Sequence, residues 1–119
     1  MNDRKLPPVE AQFADLIWAK APLTTIELIK LCSDKFKWNR STTYTVLRRL
    51  CSKGLFDTQD GTIHVLISKA EYEARQSNQF VEETFHGSLP AFLAAFGSQK
   101  KLSDSEIQEL HCIIDKMRK

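Results

Sequence analysis

Between Trp38 and Leu50 the chain reads WNRSTTYTVLRRL, and the polar members Ser41, Thr42, Tyr44, Thr45, Arg48 and Arg49 are all hydrogen-bond donors with no carboxylate among them. If this stretch is helical, at about 100° per residue, Ser41, Tyr44, Thr45, Arg48 and Ser52 fall on one side. Thr42 and Arg49 flank that stripe. Thr43, Val46, Leu47, Leu50 and Cys51 fall on the opposite side, as a core-facing set would. Hydroxyls, a phenol and guanidinium forks spaced i, i+3, i+4 and i+7 suit a surface rich in acceptors. The major groove of duplex DNA is such a surface: it admits one α-helix and presents acceptor-rich base edges framed by phosphates. Arg48 can fork onto guanine O6 and N7, Ser41 and Thr42 can reach phosphate or base edges, and the Thr45 methyl can meet a thymine methyl.

The charge distribution agrees with a polyanionic partner. The whole chain of 119 residues carries only +2. Residues 1–68 hold ten Lys/Arg against seven Asp/Glu, whereas residues 69–119 hold seven against eight. Within residues 30–53 seven basic groups (Lys30, Lys35, Lys37, Arg40, Arg48, Arg49, Lys53) face Asp34 alone. A solvated surface helix usually mixes in more acids, so a local excess of this size reads as an electrostatic footprint.

The elements that would position this stripe follow from periodicity and punctuation. Pro7 and Pro8 precede a helical pattern in which Val9, Phe13, Leu16 and Ile17 recur. Thr24 with Glu27 forms a capping box that opens a second helix through Ile26, Ile29 and Cys32. Asn39 or Ser41 caps the third helix, and Gly54 stands where a left-handed C-terminal cap belongs. The period then changes. Ile63, Val65 and Ile67 alternate, and Asp60-Gly61 is a hairpin turn signal. Three helices followed by a two-stranded hairpin make a winged helix-turn-helix; another small α+β domain of the same order is the competing reading.

The remainder is helical. Ser68 with Glu71 starts a long helix that runs to Gly87, Ser88-Leu89-Pro90 starts a short apolar helix ended by Gly97, and Ser103 with Glu106 starts the last one. Ile107, Leu110, Ile114 and Met117 form an apolar seam on that last helix. Phe80, Phe85, Leu89, Phe92, Leu93 and Phe96 add more apolar surface than three thin helices can hide. A second copy of the chain would cover it and would present two recognition helices about 34–36 Å apart, or a multiple of that, to a palindromic site. The alternative is that these helices fold back on the N-terminal domain. The expected architecture is mainly α with a minor β part: a winged helix-turn-helix DNA-binding domain over 1–68 and a helical dimerisation region over 69–119.

At this point the residues carry a family resemblance. PPVEAQFADLIWAKAPLTTIEL, WNRSTTYTVLRRLCSKGLF, the Asp60-Gly61 wing, FVEETFHGSLPAFLAAF and LSDSEIQEL, in this order over nearly the whole chain, resemble the penicillinase-repressor family. The resemblance implies a homodimeric winged-helix repressor that occupies operators of β-lactam-resistance or copper-homeostasis genes. It carries the DNA-contacting positions onto Ser41, Thr42, Tyr44, Thr45 and Arg48, and the wing positions onto Gly61 and Thr62. Departures are present: Tyr44 stands where a basic residue is common, Arg40 replaces an early proline, and the wing carries Asp57 and Asp60. β-Lactam-responsive members are inactivated when a membrane-bound sensor protease leads to a cut in the short dimerisation helix, commonly between asparagine and phenylalanine. The matching bond here is Ala95-Phe96, without the asparagine, and Phe96 as a dimer-core aromatic is the favoured reading. Copper-responsive members resemble one another in a C-terminal CxC…CxC site, and this chain offers Cys112 alone.

Other functions find little support. Cys32, Cys51 and Cys112 lie far apart and form no CxxC, so buried free thiols are expected and no metal site or cofactor. His64, His86 and His111 are scattered. No P-loop, GxGxxG, GxSxG or HExxH occurs, which argues against an enzyme. No apolar run approaches the roughly 18 residues of a membrane span, and the N-terminus lacks a signal-peptide pattern, so the expected location is the cytoplasm. The remaining alternative to a repressor is a winged-helix protein-interaction module that does not bind DNA.

Overall fold

Helix α1 (Pro8–Lys20) opens on a proline at its first position, where the missing N–H would have had no helical partner. The computed structural model describes residues 5–118. The buried face of α1 is Glu10, Phe13, Ala14 and Ile17, one position away from the expected stripe: Val9 is 49% exposed and Leu16 only half-buried. The shift has a physical reason, because Arg49 of the third helix and Lys53 just past its end meet the Glu10 carboxylate and make its burial tolerable.

A two-residue strand, β1 (Leu23–Thr24), leads into α2 (Thr25–Phe36). The capping box is complete: the Glu27 amide donates to Thr24 Oγ1 at 3.1 Å, and the Thr24 amide donates to Glu27 Oε1 at 2.8 Å. Thr25, Leu28 and Cys32 form the buried face, whereas Ile26, expected in the core, is 73% exposed. Lys37 takes a left-handed conformation (φ 60°) and turns the chain through residues 37–39 into α3 (Arg40–Ser52). Asn39, not Ser41, is the cap, its Oδ1 accepting from the Thr42 amide at 2.8 Å. Helix α3 buries Thr43, Val46, Leu47 and Leu50 of the expected stripe, whereas Cys51, expected with them, is half-buried.

Beyond Gly54 (φ 83°), β2 (Phe56–Gln59) and β3 (Thr62–Val65) form the hairpin, with Asp60 (φ 52°) and Gly61 (φ 75°) in the two-residue turn. Positive φ at both positions is the I′ turn that matches strand twist. The hairpin is not two-stranded alone. β1 adds to the other side of β3 (order β1-β3-β2, all antiparallel), with Leu23 opposite Ile63 and Thr24 opposite Thr62. Phe13, Ile17, Leu28, Leu50, Phe56 and Ile63 are fully enclosed between the three helices and this sheet. The result is a winged helix-turn-helix.

Helix α4 (Lys69–Phe85) begins at the Ser68–Glu71 box, the Glu71 amide donating to Ser68 Oγ at 3.1 Å. Its first turns belong with the winged helix. The Tyr72 ring lies 5.7 Å from that of Trp18, its phenol accepts from the Leu6 amide at 3.3 Å, and Trp18 Nε1 donates to the Ile67 carbonyl at 3.0 Å. By compactness the chain forms two units that meet inside α4, after Gln79.

The second unit, from Phe80 onward, contains the end of α4, then α5 (Leu89–Gln99) and α6 (Asp104–Met117). Gly87 (φ 81°) ends the first of these, Ser88 caps α5, and Ser103 with Glu106 completes a capping box on α6. Helix α5 does not stop at Gly97 but runs through it; a glycine inside a helix costs only about 1 kcal/mol. Among the described residues none on α4, α5 or α6 is buried.

Candidate nucleic-acid interface

The outward side of α3 assembles from the residues that its wheel left over. Ser41, Thr42, Thr45 and Arg48 are exposed and Tyr44 is half-buried. No acid occupies the first turn, so no carboxylate offsets the positive end of the helix dipole, where Asn39 Oδ1 takes the Thr42 amide. Thr45 Oγ1 donates to the Ser41 carbonyl at 3.0 Å, one turn back. The proton of this exposed hydroxyl is thus committed to its own helix.

The Arg40 guanidinium lies 5.8 Å from the Tyr44 ring centroid. The hydrogen bond from Thr25, with a further one and a positive charge from Arg40, pulls the phenol below its ordinary value of 10.0 against a smaller opposing effect of burial. Thr25 also reaches the wing, its amide donating to the Gly61 carbonyl at 2.9 Å. One residue at the start of α2 thus brings the recognition stripe and the wing tip together. Gly61 is exposed and Thr62 half-buried, each where the hairpin was expected to place it.

Arg49, at the flank of the stripe, forms an ion pair through Nη1 with Oε2 of Glu10 on α1 and keeps half of its side chain exposed. Lys53 Nζ stands 3.9 Å from the other carboxylate oxygen. The flank of α3 that holds Arg49 and Lys53 is tied to the molecule itself. Sequence reasoning missed Glu10, Thr25 and Lys53 in this setting, and no local signal marks them, because each acts on a partner outside its own helix.

In the second unit Phe80, Phe85, Phe92 and Phe96 form a chain of ring contacts, with centroids 5.6–6.1 Å apart. Leu93 and Leu110 are half-buried, whereas Leu89, Ile107, Ile114 and Met117 are exposed. A cleft of about 280 Å³ opens between Phe92, Leu93 and Phe96 on one side and Leu102, Leu110 and Ile113 on the other. Leu102 and Ile113 extend the apolar seam beyond the residues that heptad spacing selected. The Ala95–Phe96 bond lies within α5, where the Ala95 carbonyl accepts from Ser98 Oγ at 2.7 Å. The thiols are all free, but only Cys32 is buried; Cys51 is half-buried and Cys112 exposed, against the expectation of three buried thiols. Among the described residues no three His, Cys, Asp or Glu side chains converge on a metal-sized site, and no helix is long and apolar enough to cross a membrane.

A family model described as penicillinase repressor matches residues 6–116. The chain is 29% identical to the penicillinase repressor of Bacillus licheniformis, over 94% of this chain and 93% of that protein. It is 25% identical to the methicillin resistance regulatory protein MecI of Staphylococcus aureus (strain Mu50 / ATCC 700699), over 94% of each chain, and 24% identical to MecI of Mammaliicoccus sciuri over the same shares. The chain belongs to the penicillinase repressor family, which consists of DNA-binding transcriptional repressors and not of enzymes.

Proposed function

We propose that this chain is a homodimeric repressor that seats α3 in successive major grooves of a palindromic operator and leaves it when an inducing signal arrives. The observation that carries the reading is the outward face of α3: exposed Ser41, Thr42, Thr45 and Arg48 with half-buried Tyr44, and no carboxylate in the helix. In this reading Arg48 reads guanine, Ser41 and Thr42 take phosphate or base edges at the positive helix end, and the Thr45 methyl meets thymine. Tyr44 supplies an aromatic edge where relatives commonly offer a base, so the half-site differs from theirs. Gly61 and Thr62 lie at the wing that approaches the flanking backbone. Arg49 leaves the contacting set because Glu10 engages it.

Dimerisation through residues 69–119 is supported by the apolar face of α4–α6. Phe80, Leu89, Phe96, Ile107, Ile114 and Met117 are too exposed for a lone chain in water. Phe85, Phe92, Leu93 and Leu110 complete that surface. Release would follow from any event that divides it, since operator avidity depends on both copies. A sensor-directed cut at Ala95–Phe96 is one such event, and it requires α5 to unwind locally because a protease takes an extended strand.

The test is a gel shift with the full-length chain on the DNA preceding its own reading frame, against random-sequence duplex of equal length. Preferential, salt-sensitive retardation with a two-fold symmetric footprint is expected. Absence of any salt-dependent binding would leave the protein-interaction reading instead.

A further inference from the structure

Glu10 is the one buried charged side chain among the described residues, only 7% exposed on the first turn of α1. Its Oε2 is bonded by Arg49 Nη1; its Oε1 has no hydrogen-bond partner and faces Lys53 Nζ at 3.9 Å. A carboxylate removed from water is costly unless cations and donors replace the solvent. Arg49 lies in the last turn of α3 and Lys53 is the residue that caps its end. Arg49, whose side chain stays half exposed, and Lys53, four residues further on, share the flank turned to α1; Arg48 beside them is exposed as well.

We infer that Glu10 is a specificity-determining positioning residue: it withholds Arg49 and Lys53 from nucleic-acid phosphates so that α3 meets DNA with Arg48 as its basic reader. This rests on the DNA-binding reading above. The reason is arithmetical. Free basic groups at a helix end grip the phosphates of every sequence alike, raising non-specific and specific binding together and adding no discrimination. With the carboxylate in place the three groups carry a single positive charge; without it they carry two, unpinned and side by side. Each additional phosphate contact steepens the dependence of log affinity on log salt by about 0.9.

The experiment uses the full-length chain and a short random-sequence duplex, with binding followed by fluorescence anisotropy over a salt series. On a random duplex Arg48 has no cognate guanine and lies on phosphate, so Arg48→Gln should flatten the salt dependence by about 0.9, affinity falling about 3.5-fold less between roughly 50 and 200 mM salt, and should cost less there than on the operator. Arg49→Gln and the gentler Lys53→Gln should each leave random-duplex affinity within about twofold of the parent. Glu10→Gln should steepen the dependence by about the same 0.9 and tighten random-duplex binding several-fold at low salt, a gain that Glu10→Gln/Arg49→Gln should lose again. Thermal melts establish that each variant is folded; if Glu10→Gln is not, the contrast between Arg48→Gln and Lys53→Gln decides alone. The inference is overturned if Arg49→Gln or Lys53→Gln weakens random-duplex binding as much as Arg48→Gln does, or if folded Glu10→Gln binds as the parent does. A parent chain with no salt-dependent DNA affinity at all would instead overturn the DNA-binding reading, and this inference with it.

Discussion

Replacing Ile114 by aspartate probes whether a second copy of the chain covers α6. Ile114 is 42% exposed, on a helix with no buried residue. Complete burial of an isoleucine side chain yields about 1.5–3 kcal/mol, so covering the fraction still in water yields roughly 0.6–1.3 kcal/mol per chain. Two-fold symmetry doubles this, to about 1.3–2.5 kcal/mol per dimer. Ile114→Ala should therefore weaken association roughly ten- to sixty-fold, at about 1.4 kcal/mol per factor of ten. Ile114→Asp removes the same contact and also drives a carboxylate into an apolar seam, where several further kcal/mol are lost unless it is protonated or paired. Sedimentation velocity over a concentration series reads the outcome, with far-UV circular dichroism to compare helix content. The parent should sediment as a dimer, the alanine variant should dissociate on dilution, and the aspartate variant should be monomeric at micromolar concentration. If Ile114→Asp sediments as the parent does, the seam is not where two copies meet, and the reading of α6 is wrong.

Further outcomes follow from single contacts. Arg48→Ala should lower operator affinity by about 1–3 kcal/mol and relax preference at one base pair; an equal loss on every duplex in a binding selection would show that Arg48 touches only phosphate. Asn39→Ala removes the acceptor of the Thr42 amide at the start of α3, and a denaturant titration should show about 1 kcal/mol less stability. Burial pushes the Cys32 thiol up from its ordinary 9.0 to about 11, against a smaller opposing hydrogen bond with Thr43. The folded chain therefore keeps that proton where the unfolded chain loses it, so Cys32 contributes stability below about pH 9 that is lost as pH rises towards 11. A Cys32→Ala variant compared with the parent across that window should lack this part of the alkaline decline. A disulfide reagent should label exposed Cys112 first and Cys32 last; equal rates for the two would contradict the enclosed position of Cys32.

What the chain reveals before folding is what neighbouring residues decide among themselves. The boxes at Thr24, Ser68 and Ser103 were legible because a cap and its partner lie three positions apart. The wing turn was legible because Asp60-Gly61 supplies both positive φ values locally. The buried side of α3 emerged from spacing alone, since Thr43, Val46, Leu47 and Leu50 have no rival stripe. Features settled by distant partners stayed hidden. Strand β1 is two residues long and exists only because Ile63 and Thr62 pair with it from far along the chain. Val9 and Ile26 fit an apolar period, yet Glu10 and Leu28 took the inward places, one because basic groups on α3 meet it. Arg49 gave no sign of the carboxylate that α1 supplies. Periodicity reports which residues share a side, and it is silent about what waits across the gap.

Thr25 acts through two separate parts of itself. Its main chain fastens the hairpin tip at Gly61, and its hydroxyl, the largest influence lowering the Tyr44 phenol, acts on the recognition stripe. Valine at this position would keep the first and lose the second. Altering which half-site the molecule prefers could thus begin at a spot that never meets the duplex, by acting on one phenol while the hairpin stays anchored. A designer who varies Tyr44 alone would be changing the tool and leaving its setting in place.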